Sequence, residues 1–329
     1  MKMKARGEQK ERGSLQDMHA HLACLSEECG SGLSAQERLK LGRQELVYRK
    51  QAGVQTIYSC GTPEEWTFMC RLLAWENGGA GQKTGAADPK DVTEGICPDE
   101  AGLSFGIHPW YSDRFVPNDY ADCFRSCSMI GEIGMDAVWC SIPLLTQQKI
   151  FERQLDMAAG LGKPVILHTK GQEREIAGIL QGFPQKFCVH WYSGDIETFD
   201  RLLELGGYFT LGPDFAKTYG SQDAGTVGTD EAAACGSSPD ARLQEESDRA
   251  SAALYHHMAE TLPADRILLE TDGIAAVAWA LGEKTARFDM VPAVLTENLR
   301  CISQIKGMPQ EAVQRQLLDN KRRFLQVCP

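Results

Sequence analysis

The chain is predicted to fold as an α/β protein, a (β/α)8 TIM barrel with two long loop insertions, and three observations carry that prediction. From Leu15 onward, short apolar runs alternate with stretches of helical periodicity, the pattern of repeated βα units. The 329 residues suit an α/β barrel built as one domain. Residues of metal-binding type stand at the ends of several runs, and in a closed barrel those ends surround one shared face.

The first run ends at Asp17-Met18-His19-Ala20-His21. Residues i and i+2 of an extended segment project to the same side, so His19 and His21 are expected to converge on one ion. A helix over 35–52 follows, entered through Ser34 as N-cap and ended by Gly53. The second strand is 54–59, and Thr62-Pro63-Glu64-Glu65 opens the next helix with a cap residue, proline at the first position and early acids. Residues 77–100 have loop composition and read as an insertion. The third strand, 103–107, closes on His108-Pro109, a helix follows Pro117, and 129–134 is the fourth strand, carrying Glu132 near its end.

Residues 146–161 form an amphipathic helix with Ile150, Phe151, Gln154, Leu155 and Ala158 at helical spacing. It leads into a strand over 164–168 that ends in His168. The next units repeat the design: helix 173–180 and strand 187–190 ending in His190, then helix 195–205 and strand 208–211, which carries no ligand-type residue. Residues 217–250 are rich in Gly, Ala, Ser and acids and read as a second long loop insertion. Helix 252–261, the strand 266–272 ending in Asp272, and helices over 292–305 and 309–326 complete the chain. Residues 1–13 are expected to be a flexible tail, with 14–329 a single domain.

Composition narrows the function. At 43% hydrophobic and 24% charged residues the chain is ordinary globular material, and no run approaches the roughly 18–20 apolar residues of a spanning helix, so no membrane contact is expected. The basic start lacks the apolar region of a signal peptide. Twelve cysteines are scattered without a C-x-x-C pair, which points to reduced thiols, a cytoplasmic location and no zinc ribbon; Cys123 and Cys127 read as buried or half-buried thiols on one helix. The net charge of −11 argues against a protein that coats nucleic acid. It leaves open an enzyme that engages a few nucleotides at a metal centre, where the ion supplies positive charge.

His19, His21, Glu132, His168, His190 and Asp272 all close β-like runs, and this joint occurrence is the functional signal. Such a set suffices for two divalent cations; imidazole suits zinc and other late first-row metals, while carboxylates extend the range to manganese or magnesium. Glu132 is the natural bridge, because a carboxylate has two oxygens. Asp272 is placed to accept a proton from the attacking water. His108, before Pro109, is divided between facing the substrate and being a turn residue, and His256 and His257 read as helix residues outside the site.

The segments Asp17-Met18-His19-Ala20-His21, Gly106-Ile107-His108-Pro109, Gly131-Glu132-Ile133-Gly134-Met135-Asp136, Pro164-Val165-Ile166-Leu167-His168, His190-Trp191-Tyr192-Ser193-Gly194 and Leu269-Glu270-Thr271-Asp272 together make the chain resemble the TatD-like metal-dependent hydrolases. The resemblance runs from about Leu15 to Gln326. It implies that His19, His21, Glu132 and Asp272 hold one metal and Glu132, His168 and His190 the other. It further implies hydrolysis of a phosphodiester, commonly DNA. Glu132, Asp272 and His108 are expected as the catalytic set, with His108 in contact with the substrate phosphate. Lys170 stands on the substrate side where such relatives carry an arginine, and Gly273-Ile274-Ala275-Ala276 replaces their Ser-Pro-aromatic.

Two other readings compete. Hydrolysis of an amide, lactone or ester at the same centre is one, since activated water does not choose its electrophile. The other is a metal-binding protein whose loops engage a partner without turnover; no protein partner is otherwise expected.

Overall fold

The computed structural model describes residues 15–76, 102–220 and 239–326. Eight parallel strands pair in chain order: β1 (Leu15–Ala20), β2 (Val54–Cys60), β3 (Gly102–Phe105), β4 (Met129–Gly134), β5 (Val165–His168), β6 (Phe187–Val189), β7 (Tyr208–Leu211) and β8 (Ile267–Leu269). Helices on the outside of this sheet complete the TIM barrel. They are α1 (Ala35–Gln51), α2 (Pro63–Glu76), α3 (Ala121–Ser126), α4 (Leu144–Leu161), α5 (Glu173–Ile179), α6 (Ile196–Glu204), α7 (Phe215–Gly220), α8 (Pro239–Thr261), α9 (Ile274–Leu281), α10 (Met290–Ile305) and α11 (Gln310–Leu325).

Local chemistry sets the boundaries. Ser34 and Glu37 form a reciprocal capping box at the start of α1. Asp195 accepts from Thr198 N at 2.7 Å at the start of α6, and Gly162 ends α4 in the left-handed conformation.

Two apolar clusters show how the layers pack. Met18, Ile57, Met129, Ile166, Cys188, Tyr208 and Leu268, one from each of seven strands, form an interior cluster with Phe324 of α11. Alternate residues, such as Ile130, Val165, Leu167, Val189 and Leu269, face the surrounding helices in the larger cluster. The nine described cysteines are free, and Cys123 and Cys127 are buried. Among the described residues no helix is long and apolar enough to cross a membrane.

The expected loop over 217–250 is corrected at both ends. Helix α7 covers Phe215–Gly220 and α8 begins at Pro239, so only 221–238 of that stretch lies outside the described residues. The same residue types that read as loop are compatible with a helix: proline suits its first position, and Arg242, Leu243, Gln244 and Glu245 are good helix formers. The proposed tail 1–13 and insertion 77–100 lie outside the described residues. A further helix, α9, occupies Ile274–Leu281, where no element was expected.

The seam between β8 and β1 is closed by polar contacts. Asp272 N donates to His19 O at 3.0 Å, and the Asp17 carboxylate accepts from Thr271 N at 2.9 Å and Thr271 Oγ1 at 2.6 Å. Asp17 is also paired with buried Arg49, whose Nε donates to Glu45 Oε1 at 2.9 Å and whose Nη1 reaches Thr56 Oγ1 at 3.1 Å. Asp17 therefore holds a strand end, not an imidazole. Arg49→Leu leaves two buried carboxylates facing each other, and breaking such a pair costs about 3–5 kcal/mol. Urea unfolding should register a loss of that order; a loss under about 1 kcal/mol would show that water enters and replaces the guanidinium.

Candidate metal centre

The alternation of the interior cluster explains how the site is aimed. Ile166 and Cys188 point into the barrel, so His168 and His190, two residues on, point inward as well. The same count on β8 carries Leu268 to Glu270 and Asp272. On β1 and β4 strict alternation fails: with Met18 and Met129 inside, His19, His21 and Glu132 would face outward. A register shift between Asp17 and Ala20, and another between Ile130 and Ile133, insert an extra residue and turn these side chains to the axis. Gly131 lies within the second irregularity, with φ of 144° and a position where a Cβ would lie 2.5 Å from Ile166 O; just beyond it, Gly134 has φ of 150° and a Cβ there would lie 1.8 Å from His168 O.

Six sequence-predicted ligands meet at one end of the barrel. Glu132 Oε2 lies 3.4 Å from His19 Nε2 and 3.5 Å from His21 Nε2, and Asp272 Oδ1 is 3.3 and 3.7 Å from the same two nitrogens. Glu132 Oε1 faces the other way, 2.6 Å from His168 Nδ1 and 2.7 Å from His190 Nε2. One carboxylate thus divides its oxygens between two donor sets. His21 and Asp272 are the most open of the six, with side chains 33% and 21% exposed, and mark the open side of the group.

His108 joins the second set at 3.6 Å from Glu132 Oε1. Its Nδ1 accepts from Trp110 N at 3.2 Å, which leaves the hydrogen of a neutral ring on Nε2. Burial pulls this ring's pKa down to about 4, against the pull of Glu132, so it is neutral at pH 7. Lys170 is not part of the converging group. Its Nζ donates to Ser193 Oγ at 2.8 Å and lies 4.7 Å from the Trp139 ring centre. His256 and His257 are remote from it on α8, the first against the Tyr219 ring and the second bonded to Asp200 at 2.6 Å.

The charge pattern favours cations among these carboxylates. Burial alone would depress His19, but the Asp272 and Glu132 carboxylates, 3.3 and 3.4 Å from its Nε2, carry it up to about 9. His190 is likewise lifted well above the usual range, against burial, by Glu132 and Glu270. Glu132 and Asp272 are held low by the surrounding imidazoles, which overcome the burial that would raise them. Protons and divalent metals compete for the same donor atoms in such a cluster. His19, fully buried, has neither ring nitrogen hydrogen-bonded, which fits a ring kept for a ligand. Among the described residues three sets of side chains could each hold an ion: His19 with Glu132 and His190, His19 with His21 and Asp272, and His108 with Glu132 and His168.

Two carboxylates had no role assigned from sequence. Asp136 accepts from His168 Nε2 at 3.0 Å, from Trp110 Nε1 at 2.7 Å and from the backbone of Val138 and Trp139. Glu270 is buried beside His190. The signal for Glu270 was present, two residues before Asp272 on the same face; Asp136 lies beyond β4, where periodicity gives no direction. Gln154 supports the rim by clamping Ile107 through its N–H at 2.6 Å and carbonyl at 3.0 Å, next to His108.

Comparison with known proteins identifies relatives of the chain and of its fold. The chain is 26% identical over 148 residues to the human 3'-5' RNA nuclease TATDN2, covering 41% of this chain and 19% of that protein. It is 30% identical over 122 residues to the 3'-5' ssDNA/RNA exonuclease TatD of Edwardsiella piscicida, covering 35% and 47%. The matched stretches span less than half the length of either relative. Among solved structures, the TatD homologue YJJV of Escherichia coli superposes with a TM-score of 0.61 over 97% of this chain and 100% of that one, at 18% identity, a likeness of fold. The model of the family described as TatD related DNase matches residues 16–326, nearly the whole chain, and the chain belongs to that family.

Proposed function

We propose that the chain is a metal-dependent phosphodiesterase that hydrolyses nucleic acid with a water that two divalent cations would activate. The observation that carries this reading is Glu132, whose two oxygens face separate donor sets. His19, His21, Asp272 and Glu132 Oε2 would hold one ion, and His168, His190 and Glu132 Oε1 the other. Zinc, manganese and magnesium all suit this mixture of imidazole and carboxylate, and such ions make bound water more acidic and offset phosphoryl charge.

The protein's own groups then have defined tasks. Asp272, on the open side, receives the proton given up by the attacking water. His108, neutral and carrying its hydrogen on Nε2, donates to a phosphoryl oxygen. Lys170 supplies a positive charge at the rim for a neighbouring phosphate. Trp110 and Trp139, 43% and 58% exposed, are anchored on Asp136 and offer faces on which bases stack. RNA and single-stranded DNA or RNA, the substrates in the names of two relatives, match this combination.

Elemental analysis of protein purified without added metal, followed by assay on single-stranded DNA, single-stranded RNA, a simple phosphodiester and an acyl ester, tests the proposal. Two metal equivalents and phosphodiester turnover that a chelator removes are expected. Turnover of the acyl ester alone would replace the nuclease reading by acyl hydrolysis. Metal uptake without any turnover would favour a binding protein.

A further inference from the structure

Glu270 is a carboxylate beside the centre that the proposed metal sets leave without a role. It stands inside the barrel between Leu268 and Asp272, fully buried, and among the described residues neither oxygen has a hydrogen-bond partner. A buried ionised carboxylate left in this condition is costly, so its surroundings must supply a proton donor or positive charge. Cys188, Asp214 and Tyr255 lie within its field and bring no cation. His190 does: its Nδ1 is 3.5 Å from Glu270 Oε1 and is also buried without a hydrogen bond, while Nε2 of the same ring points at Glu132 Oε1, 2.7 Å away.

We propose that Glu270 is the positioning residue for His190, accepting its Nδ1 hydrogen so that the Nε2 lone pair is turned toward Glu132 and a divalent cation. This rests on the metal centre proposed above and adds an assignment within it. A neutral imidazole has one N–H, and a carboxylate at Nδ1 selects the tautomer that leaves Nε2 free to bind metal and makes it a stronger donor. Asp136 stands in the same relation to His168, 3.0 Å from Nε2 while Nδ1 faces Glu132. His168 and His190 are therefore each backed by a carboxylate. Glu270 also contributes negative charge: with Glu132, Asp136 and Asp272 it makes four carboxylates, the charge that two divalent cations balance.

The metal-free full chain, its Glu270→Met variant and its Glu270→Gln variant, each titrated with Co2+ and followed by visible d–d absorption, test this. The unmodified chain should take up two equivalents. Glu270→Met should weaken one equivalent about 10–100-fold and alter its band while sparing the other, as expected for loss of a group that orients a ligand. Glu270→Gln retains an oxygen that can accept from Nδ1 and should recover most of that loss. Thermal unfolding of the three metal-free proteins checks that each is folded. Unchanged cobalt affinity and spectrum in folded Glu270→Met would overturn the assignment and leave the metal centre standing. Equal loss in both variants would assign Glu270 a merely structural role. Absence of uptake by the unmodified chain would remove the centre itself and the assignment with it.

Discussion

Glu132→Ala is expected to abolish metal binding and phosphodiester hydrolysis together, the largest effect of any single substitution in this chain. Each oxygen of Glu132 serves a different donor set, Oε2 toward His19 and His21 and Oε1 toward His168 and His190. In the proposed centre alanine removes a ligand from both ions and leaves the imidazoles without their shared counter-charge. Loss of an outer partner of a metal ligand costs about 10–100-fold in affinity, and loss of the ligand should exceed that at each site. The fold should persist, because β4 is anchored by its neighbours Met129, Ile130 and Ile133, all fully buried. Metal analysis, circular dichroism and turnover on one preparation check this. Two full equivalents in a folded Glu132→Ala protein would refute the bridge.

Much of this site was legible from periodicity, and the exceptions have a physical cause. His168, His190 and Asp272 follow apolar residues at even spacing, so the strand period aims them correctly. His19, His21 and Glu132 reach the same point only because β1 and β4 each carry a register shift. The expectation that His19 and His21 share a side was right in outcome and incomplete in cause: an unbroken β1 with Met18 inside would have sent both outward. Side-chain alternation is a property of regular strands, and a bulge leaves little trace in composition.

Composition misled in the second long loop for a related reason. Acids and small residues suit solvent whether the backbone is loop or helix, and Pro239 begins α8. Helix α9 was missed because its alanine-rich segment follows Gly273. That glycine has φ of 96°, and a Cβ at this position would lie 2.4 Å from His21 O. Gly273-Ile274 in place of Ser-Pro thus fits a tight approach between the end of β8 and the His19-Ala20-His21 segment. Partners fixed by tertiary packing, such as Asp136 for His168, carry no local signal.

Asp272→Asn separates holding metal from moving a proton. Asparagine keeps the shape and one carbonyl oxygen that can face a cation, yet it has no carboxylate to take a proton from the attacking water. The backbone tolerates the change: Asp272 has φ of 56°, in the left-handed region that asparagine and aspartate enter more readily than other side chains. Its N–H would still donate to His19 O. The ion between His19 and His21 should therefore remain, with lowered affinity, while kcat falls by about 10²–10⁴-fold, the range a positioned general base supplies. Metal content and kcat measured at saturating metal distinguish the two roles. If activity returned to within tenfold of the unmodified chain once metal was saturating, Asp272 would be a ligand and nothing more, and the proton would have to leave by another group on the open side of the barrel.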